Sequence, residues 1–167
     1  MSTFGHKRTK WTKLSDTFQR SAQGNTMFDQ LRRTSSNKLG GMLRILLGFV
    51  FFMAGILKVV VPSLGQAFSG QLIAAGIPFL GIVLFTFPIV EMVLGVFLVF
   101  GFHARLSAAA AAVSMVVATY VHIAVEDPSL FPLQPIEPIG PLVLLVVALY
   151  VLWRGGGAWS IDLKEAN

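Results

Sequence analysis

Residues 72–100 read LIAAGIPFLGIVLFTFPIVEMVLGVFLVF, and Glu91 is the one charged side chain in that run. About twenty apolar residues cross the hydrocarbon core of a bilayer. The run is longer than that, so it either tilts as one helix or breaks at Gly76-Ile77-Pro78 into an interfacial piece and a main span of Phe79 to Phe100. Three further apolar stretches accompany it, Leu43 to Val61, Leu106 to Val125 and Leu142 to Trp153. Together they predict an all-α transmembrane four-helix bundle, antiparallel and up-down. Four such segments in 167 residues leave no room for a separate soluble enzyme domain. Any chemistry therefore sits within or beside the lipid.

Composition agrees. The chain is 54% hydrophobic and 13% charged, whereas soluble domains carry about 25% charge. Fourteen Phe suit contact with lipid, and sixteen Gly let helices cross closely. The absence of Cys excludes a disulfide, haem attachment through thiols and an all-Cys iron–sulfur cluster in this chain. Such centres would have to come from a partner protein.

The sequence divides into a basic tail over residues 1–38, a four-helix domain over 39–154 and a second tail over 155–167 that carries GGGAWSID. The first tail sets Lys7, Arg8, Lys10, Lys13, Arg20, Arg32, Arg33 and Lys38 against Asp16 and Asp29. It lacks the layout of a secretory signal, and its two acids argue against an organellar transit peptide. Phe18, Met27, Phe28 and Leu31 would suit a surface helix on anionic headgroups, and a solvated tail is the alternative. Positive charge beside a first span is explained by topology and lipid, so nucleic acid is not expected as a partner.

The first helix is expected from about Gly41 to Pro62, with Arg44 and Lys58 snorkelling toward headgroups. Ser63 to Gln71, SLGQAFSGQ, reads as a short polar connection. Gly101 to Arg105 is a tight turn that makes the second and third helices neighbours. The third helix ends near Glu126-Asp127-Pro128. Pro132, Pro135, Pro138 and Pro141 then favour an extended connector, with Pro141 in the first turn of the last helix. That helix is the shortest, at twelve apolar residues, a length that also suits a re-entrant or buried segment, although flanking Ile136, Ile139 and Trp159 extend its apolar contact toward a full crossing. His103, Arg105, Arg154 and Lys164 fall on one side with the first tail, and Glu126, Asp127 and Glu137 on the other. By the positive-inside rule both termini are cytoplasmic, in a multi-pass protein of the cell membrane.

Glu91 is the sharpest candidate for chemistry. A carboxylate at that depth must face the bundle interior and be protonated, hydrogen-bonded or paired. It suits proton movement, a quinone headgroup or another polar ligand, or else it simply joins two helices. His122, late in the third helix, can relay protons or donate to a quinone carbonyl. The spacing of Thr119, His122 and Glu126 puts them on one face. Lys58 can reach toward both Glu91 and His122 if the first helix packs beside the second and third. His6 and His103 belong to the opposite side of the membrane from His122, so no metal site is expected. Gly48 and Gly55, seven apart, and Gly95, four after Glu91, suit close helix crossing. The glycines at 155–157 do not form a phosphate loop, because the following Lys-Ser/Thr is missing.

At these residues the chain resembles the DoxX family of small four-helix membrane proteins. The likeness lies in the first helix with Arg44, Gly48, Gly55 and Lys58, in VEMVLGVFLVFGFHARLSAAA at 90–110, in His122, and in GGGAWSIDL at 155–163. The resemblance implies a membrane carboxylate at Glu91, a basic turn residue at Arg105, and closing residues at Trp159 and Asp162. The turn departs from the family in reading His103-Ala104-Arg105 where Thr-Arg is commoner. The family is associated with thiosulfate oxidation coupled to quinone reduction and with membrane complexes handling oxidative or thiol stress. The implied role is a redox-linked subunit, with a quinone as candidate cofactor and a protein partner or a second copy of the chain beside it. Two other readings compete. One is a noncatalytic scaffold that anchors a soluble redox enzyme; the other, ranked lower, is a small-solute or proton transporter, for which no repeat or broken half-helix speaks.

Overall fold

The computed structural model describes residues 37–133 and 135–165, with side chains as far as Leu163. The expectations for residues 1–36, including the surface helix around Phe18 to Leu31, lie outside the described residues. Every regular element among the described residues is helical: α1 (Lys38–Val60), α2 (Pro62–Ala74), α3 (Leu80–Phe100), α4 (Ala104–Ala124), a 3₁₀ turn (Pro128–Leu130), α5 (Ile139–Arg154) and α6 (Ile161–Glu165).

Local chemistry sets each boundary. Asn37 caps α1 by accepting from Leu39 N at 3.0 Å. Pro62 forces Val61 into an extended conformation (φ −102, ψ 106) and then opens α2. The segment Ser63 to Gln71 is therefore helical, not a polar connection. Its apolar residues Phe68 and Leu72 are one turn apart and both buried, which overrides its Gly- and Ser-rich composition. Gly76, at φ +67, closes α2, with its own N–H on Ile73 O and that of Ile77 on Leu72 O. Pro78 follows, so the long run breaks where Gly76-Ile77-Pro78 suggested, and the main span begins at Leu80. Gly101 ends α3 in the same manner at φ +67.

At about 1.5 Å per residue, the 23 residues of α1 and the 21 of α3 and α4 reach roughly 32–35 Å, enough for a hydrocarbon core of about 30 Å. α5 has 16 residues, four more than its apolar core, and Pro141 lies in its first turn as expected. Three helices are thus long and apolar enough to cross a membrane, with a shorter apolar fourth. Their outward faces carry large apolar side chains, among them Phe49, Phe85, Val113 and Val146, as lipid contact requires.

α1 and α3 run antiparallel at very close range. A Cβ on Gly48 would lie 2.7 Å from Gly95 O, and one on Gly55 would lie 2.6 Å from Pro88 O. Neither position tolerates a side chain without parting the helices. α4 and α5 complete the bundle. One apolar cluster joins Leu47 and Phe51, Leu98, Ala108, Ala111 and Met115, and Ala148 and Val151 of the four long helices. A second lies toward the other end and joins Phe68 and Leu72 of α2 with Val121, Val125 and Phe131.

Candidate functional site

The glycine crossing determines what Glu91 meets. Gly55 sits against Pro88 and Met92, and Lys58, three residues further on, shares its helix face. Lys58 Nζ therefore reaches the middle of α3, where it donates to Glu91 Oε1 at 2.8 Å and to Oε2 at 2.6 Å. Glu91 is 5% exposed and Lys58 21%. The ammonium also lies 4.9 Å from the ring centre of Phe68 and 5.8 Å from that of Phe87, within cation–π range. Lys58 is thus held inward by a carboxylate and two aromatic faces and does not snorkel.

His122 lies on the inner face of α4 and is 6% exposed. Its Nδ1 is 2.9 Å from Ala118 O, and its ring centre is 4.5 Å from that of Phe131. Nε2 is buried with no hydrogen-bond partner among the described residues. Thr119 turns back on its own helix through Met115 O at 2.8 Å. Glu126 does not join that face, because the chain leaves the helix at Val125 (φ −108, ψ 117) and Glu126 is exposed.

Lys58, Glu91 and His122 line one cavity of about 310 Å³ between the two apolar clusters. Its walls are otherwise mainly apolar, from Ala54 and Leu57 of α1, Phe68 and Leu72 of α2, Met115 and Val121 of α4, and Leu144 of α5. Gln71 also lines it and anchors α2 to the loop by donating to Leu130 O at 2.5 Å. Gln71 and Phe68 escaped notice because their segment read as a connection. The spacing of Gln71 and Leu72 from Phe68, three and four residues, was the available signal.

The remaining motif residues gather at the opposite end of the bundle. Arg44 is fully buried rather than snorkelling. Its Nε donates to Gly156 O at 2.6 Å, Nη1 to Val99 O at 2.7 Å and to Leu98 O, and Nη2 to Ala158 O and Trp159 O, both at 3.4 Å. The guanidinium so caps the last turn of α3 and holds the loop after α5. That loop returns the favour through Asp162, which accepts from His103 N at 2.9 Å and Ala104 N at 2.8 Å. These are the first donors of α4, so Asp162 serves as a cap from 58 residues away. Ser160 in turn caps α6 by accepting from Leu163 N at 3.2 Å. Arg105 is half-buried in the first turn of α4, and Trp159 is 62% exposed at φ +60.

The DoxX family model matches residues 41–124, just over half of the chain. The chain belongs to the DoxX family. It is accordingly a multi-pass membrane protein in contact with lipid, of a family associated with redox-related processes. The DoxX match takes in Arg44, Lys58, Glu91, Arg105 and His122 and ends with α4, short of α5 and residues 155–163. No curated protein and no solved structure matches the chain.

Proposed function

We propose that this DoxX-family chain is a membrane subunit of a redox-linked complex, and that its cavity holds the ring of a quinone while a partner protein supplies the electron carrier. The observation that carries this reading is the convergence of the Lys58–Glu91 pair and the His122 ring on one largely apolar cavity. At about 310 Å³ it stands at the small end of ligand pockets, which run from roughly 300 to 1,000 Å³. That volume suits one substituted ring rather than a ring with its whole tail. Leu133 and Gly140, both exposed, form part of the lining and offer an apolar approach.

A bound quinone would exchange electrons and protons with its surroundings. Lys58 keeps the Glu91 carboxylate oriented, and the bond to Ala118 O keeps the His122 ring in one position beside the cavity. The test is gentle purification of the whole chain with analysis of co-extracted lipids and proteins. Quinone is expected with the native protein and is lost after His122→Leu with assembly intact.

A second reading, the scaffold, draws on Trp159. This exposed aromatic is fixed in left-handed conformation above the buried Arg44 clamp, so it presents a rigid contact to a soluble partner. Recovery of a stoichiometric soluble enzyme without any quinone would favour it over the first.

Both readings place the termini in the cytoplasm. Support comes from Lys38, Arg105 and Arg154 at the Arg44 end, against exposed Glu126, Asp127 and Glu137 at the other. Hydrogen bonds from the Ser129 side chain and backbone hold the Asp127 carboxyl below the usual carboxylate range, so its negative charge persists at that end. Because the chain has no Cys, any introduced thiol is unique. An impermeant maleimide is expected to label Ser129→Cys in intact cells and Ser36→Cys only after permeabilisation. The opposite pattern would invert the topology.

A further inference from the structure

Much of the cavity wall is sealed: Phe68, Leu72, Glu91, Met115, Val121 and His122 line it and are all buried. One edge differs. Pro132 and Leu133 of the connector and Gly140 of α5 line the same cavity and are exposed, Leu133 to 71%. Residues that are both wall and surface mark where a cavity meets the outside. Among the described residues, Val117 of α4 is the one other lining residue in the exposed class, and it is only 37% exposed. The main opening therefore lies between the connector and the first turn of α5. α5 begins at the end of the bundle where α1 and α4 finish, and Lys58 and His122 each stand two residues from those helix ends. The path from the polar groups to the rim is short.

The rim is apolar as well as open. No side chain of Pro132, Leu133 or Gly140 carries a charge or a hydrogen-bonding group, so a hydrocarbon chain can lie there without desolvating one. Gly140 has no packing reason to lack a side chain. Gly48, Gly55 and Gly95 leave no room for a Cβ where α1 and α3 cross, and Gly101 has positive φ. A Cβ on Gly140 would meet nothing within 4 Å, and its φ is not in the left-handed region. Leu144, one turn further along α5, lines the cavity on the same helix face. A long side chain at position 140 would therefore stand over the opening.

We infer that the opening between Pro132-Leu133 and the first turn of α5 holds the hydrocarbon tail of a lipid-soluble ring seated in the cavity, and that Gly140 keeps this route free. The inference rests on the proposal that the cavity holds a quinone-type ring, and adds where the rest of such a ligand lies. A cavity of about 310 Å³ takes the ring and leaves a long tail outside. The apolar rim at Leu133 and Gly140 gives that tail its way into the lipid.

The probe is a decyl-benzoquinone with a diazirine in its chain a few carbons from the ring. It is photolysed with the full chain in nanodiscs, with and without excess unmodified decyl-benzoquinone, and the labelled residues are located by mass spectrometry. Labelling that the competitor removes is expected at Leu133 and on α5 from Ile139 to Leu144, and this map of the wild-type protein decides without any variant. Gly140→Trp is expected to lose the competed labelling. Gly81→Trp is the control, because Gly81 is equally open but does not line the cavity; it should label as wild type does. Thermal unfolding checks that both variants fold. Competed labelling concentrated at Val117 and the neighbouring part of α3, or a well-folded Gly140→Trp that labels as wild type does, overturns the route and leaves the cavity reading standing. Labelling that the competitor reduces nowhere means that no ring is held, and overturns both.

Discussion

Replacing Arg44 by leucine is expected to lower the unfolding midpoint of the detergent-solubilised protein by roughly 10–20 °C, at about 2–4 °C per kcal/mol for a chain of this size. Arg44 brings five N–H donors into a fully buried position, and they meet carbonyls of Leu98, Val99, Gly156, Ala158 and Trp159. A leucine fills much of the volume and supplies no donor. Each buried acceptor stranded in this way costs about 1–3 kcal/mol, and three of the five bonds are short enough to count fully. The sum is a large part of the roughly 5–15 kcal/mol that holds a typical domain together. Arg44→Lys tests the geometry, because a single ammonium can serve one cluster of carbonyls but not both the end of α3 and the loop after α5. It should fall between wild type and Arg44→Leu. Thermal unfolding followed by far-UV circular dichroism measures both, and an Arg44→Leu midpoint within two or three degrees of wild type, at about 2–4 °C per kcal/mol, would show that the carbonyls find other donors.

The burial of Arg44 could not be read from the chain, and the reason is physical. Near the end of an apolar run, a lone Arg can either snorkel or turn inward, and the choice depends on carbonyls more than fifty residues away. Asp162 is similar, since its role as a cap for α4 exists only once the GGGAWSID loop folds back on Gly101 to Ala104. The three long spans were legible because hydropathy over twenty residues is a strong local signal. α2 was not, because its helix is stabilised by burying Phe68 and Leu72 against the bundle while its Ser and Gly suggest a loop. Glu91 stood out by cost alone: a carboxylate inside a span must have a partner. That its partner is Lys58 follows from the register of Gly48 and Gly55 on Gly95 and Pro88, which composition does not contain. That His122 Nε2 is buried without a hydrogen-bond partner among the described residues belongs to the same class of fact.

Lys58 and Glu91 should prove strongly coupled, and unequal. Removing one member of a buried ion pair costs about 3–5 kcal/mol, because the other charge is left in a poor solvent. Lys58→Met strands Glu91, which is 5% exposed at the middle of α3. Glu91→Leu strands Lys58, which is 21% exposed, two residues from the end of α1, and can swing its ammonium outward. Lys58→Met is therefore expected to cost the full penalty and Glu91→Leu about half of it. The double variant replaces the pair by apolar side chains of similar size and should regain most of the lost stability, leaving a coupling of about 4–6 kcal/mol in the cycle. Reversible unfolding in mixed micelles measures all four proteins. Single-variant losses that simply add would mean that the two charges do not depend on one another. The double variant also separates stability from function, since it keeps the fold and removes the acceptor oxygens of Glu91 from the cavity wall. If that well-folded protein still retains quinone on purification as wild type does, the charged pair is a structural joint between α1 and α3, and ligand retention rests on His122 and the apolar walls.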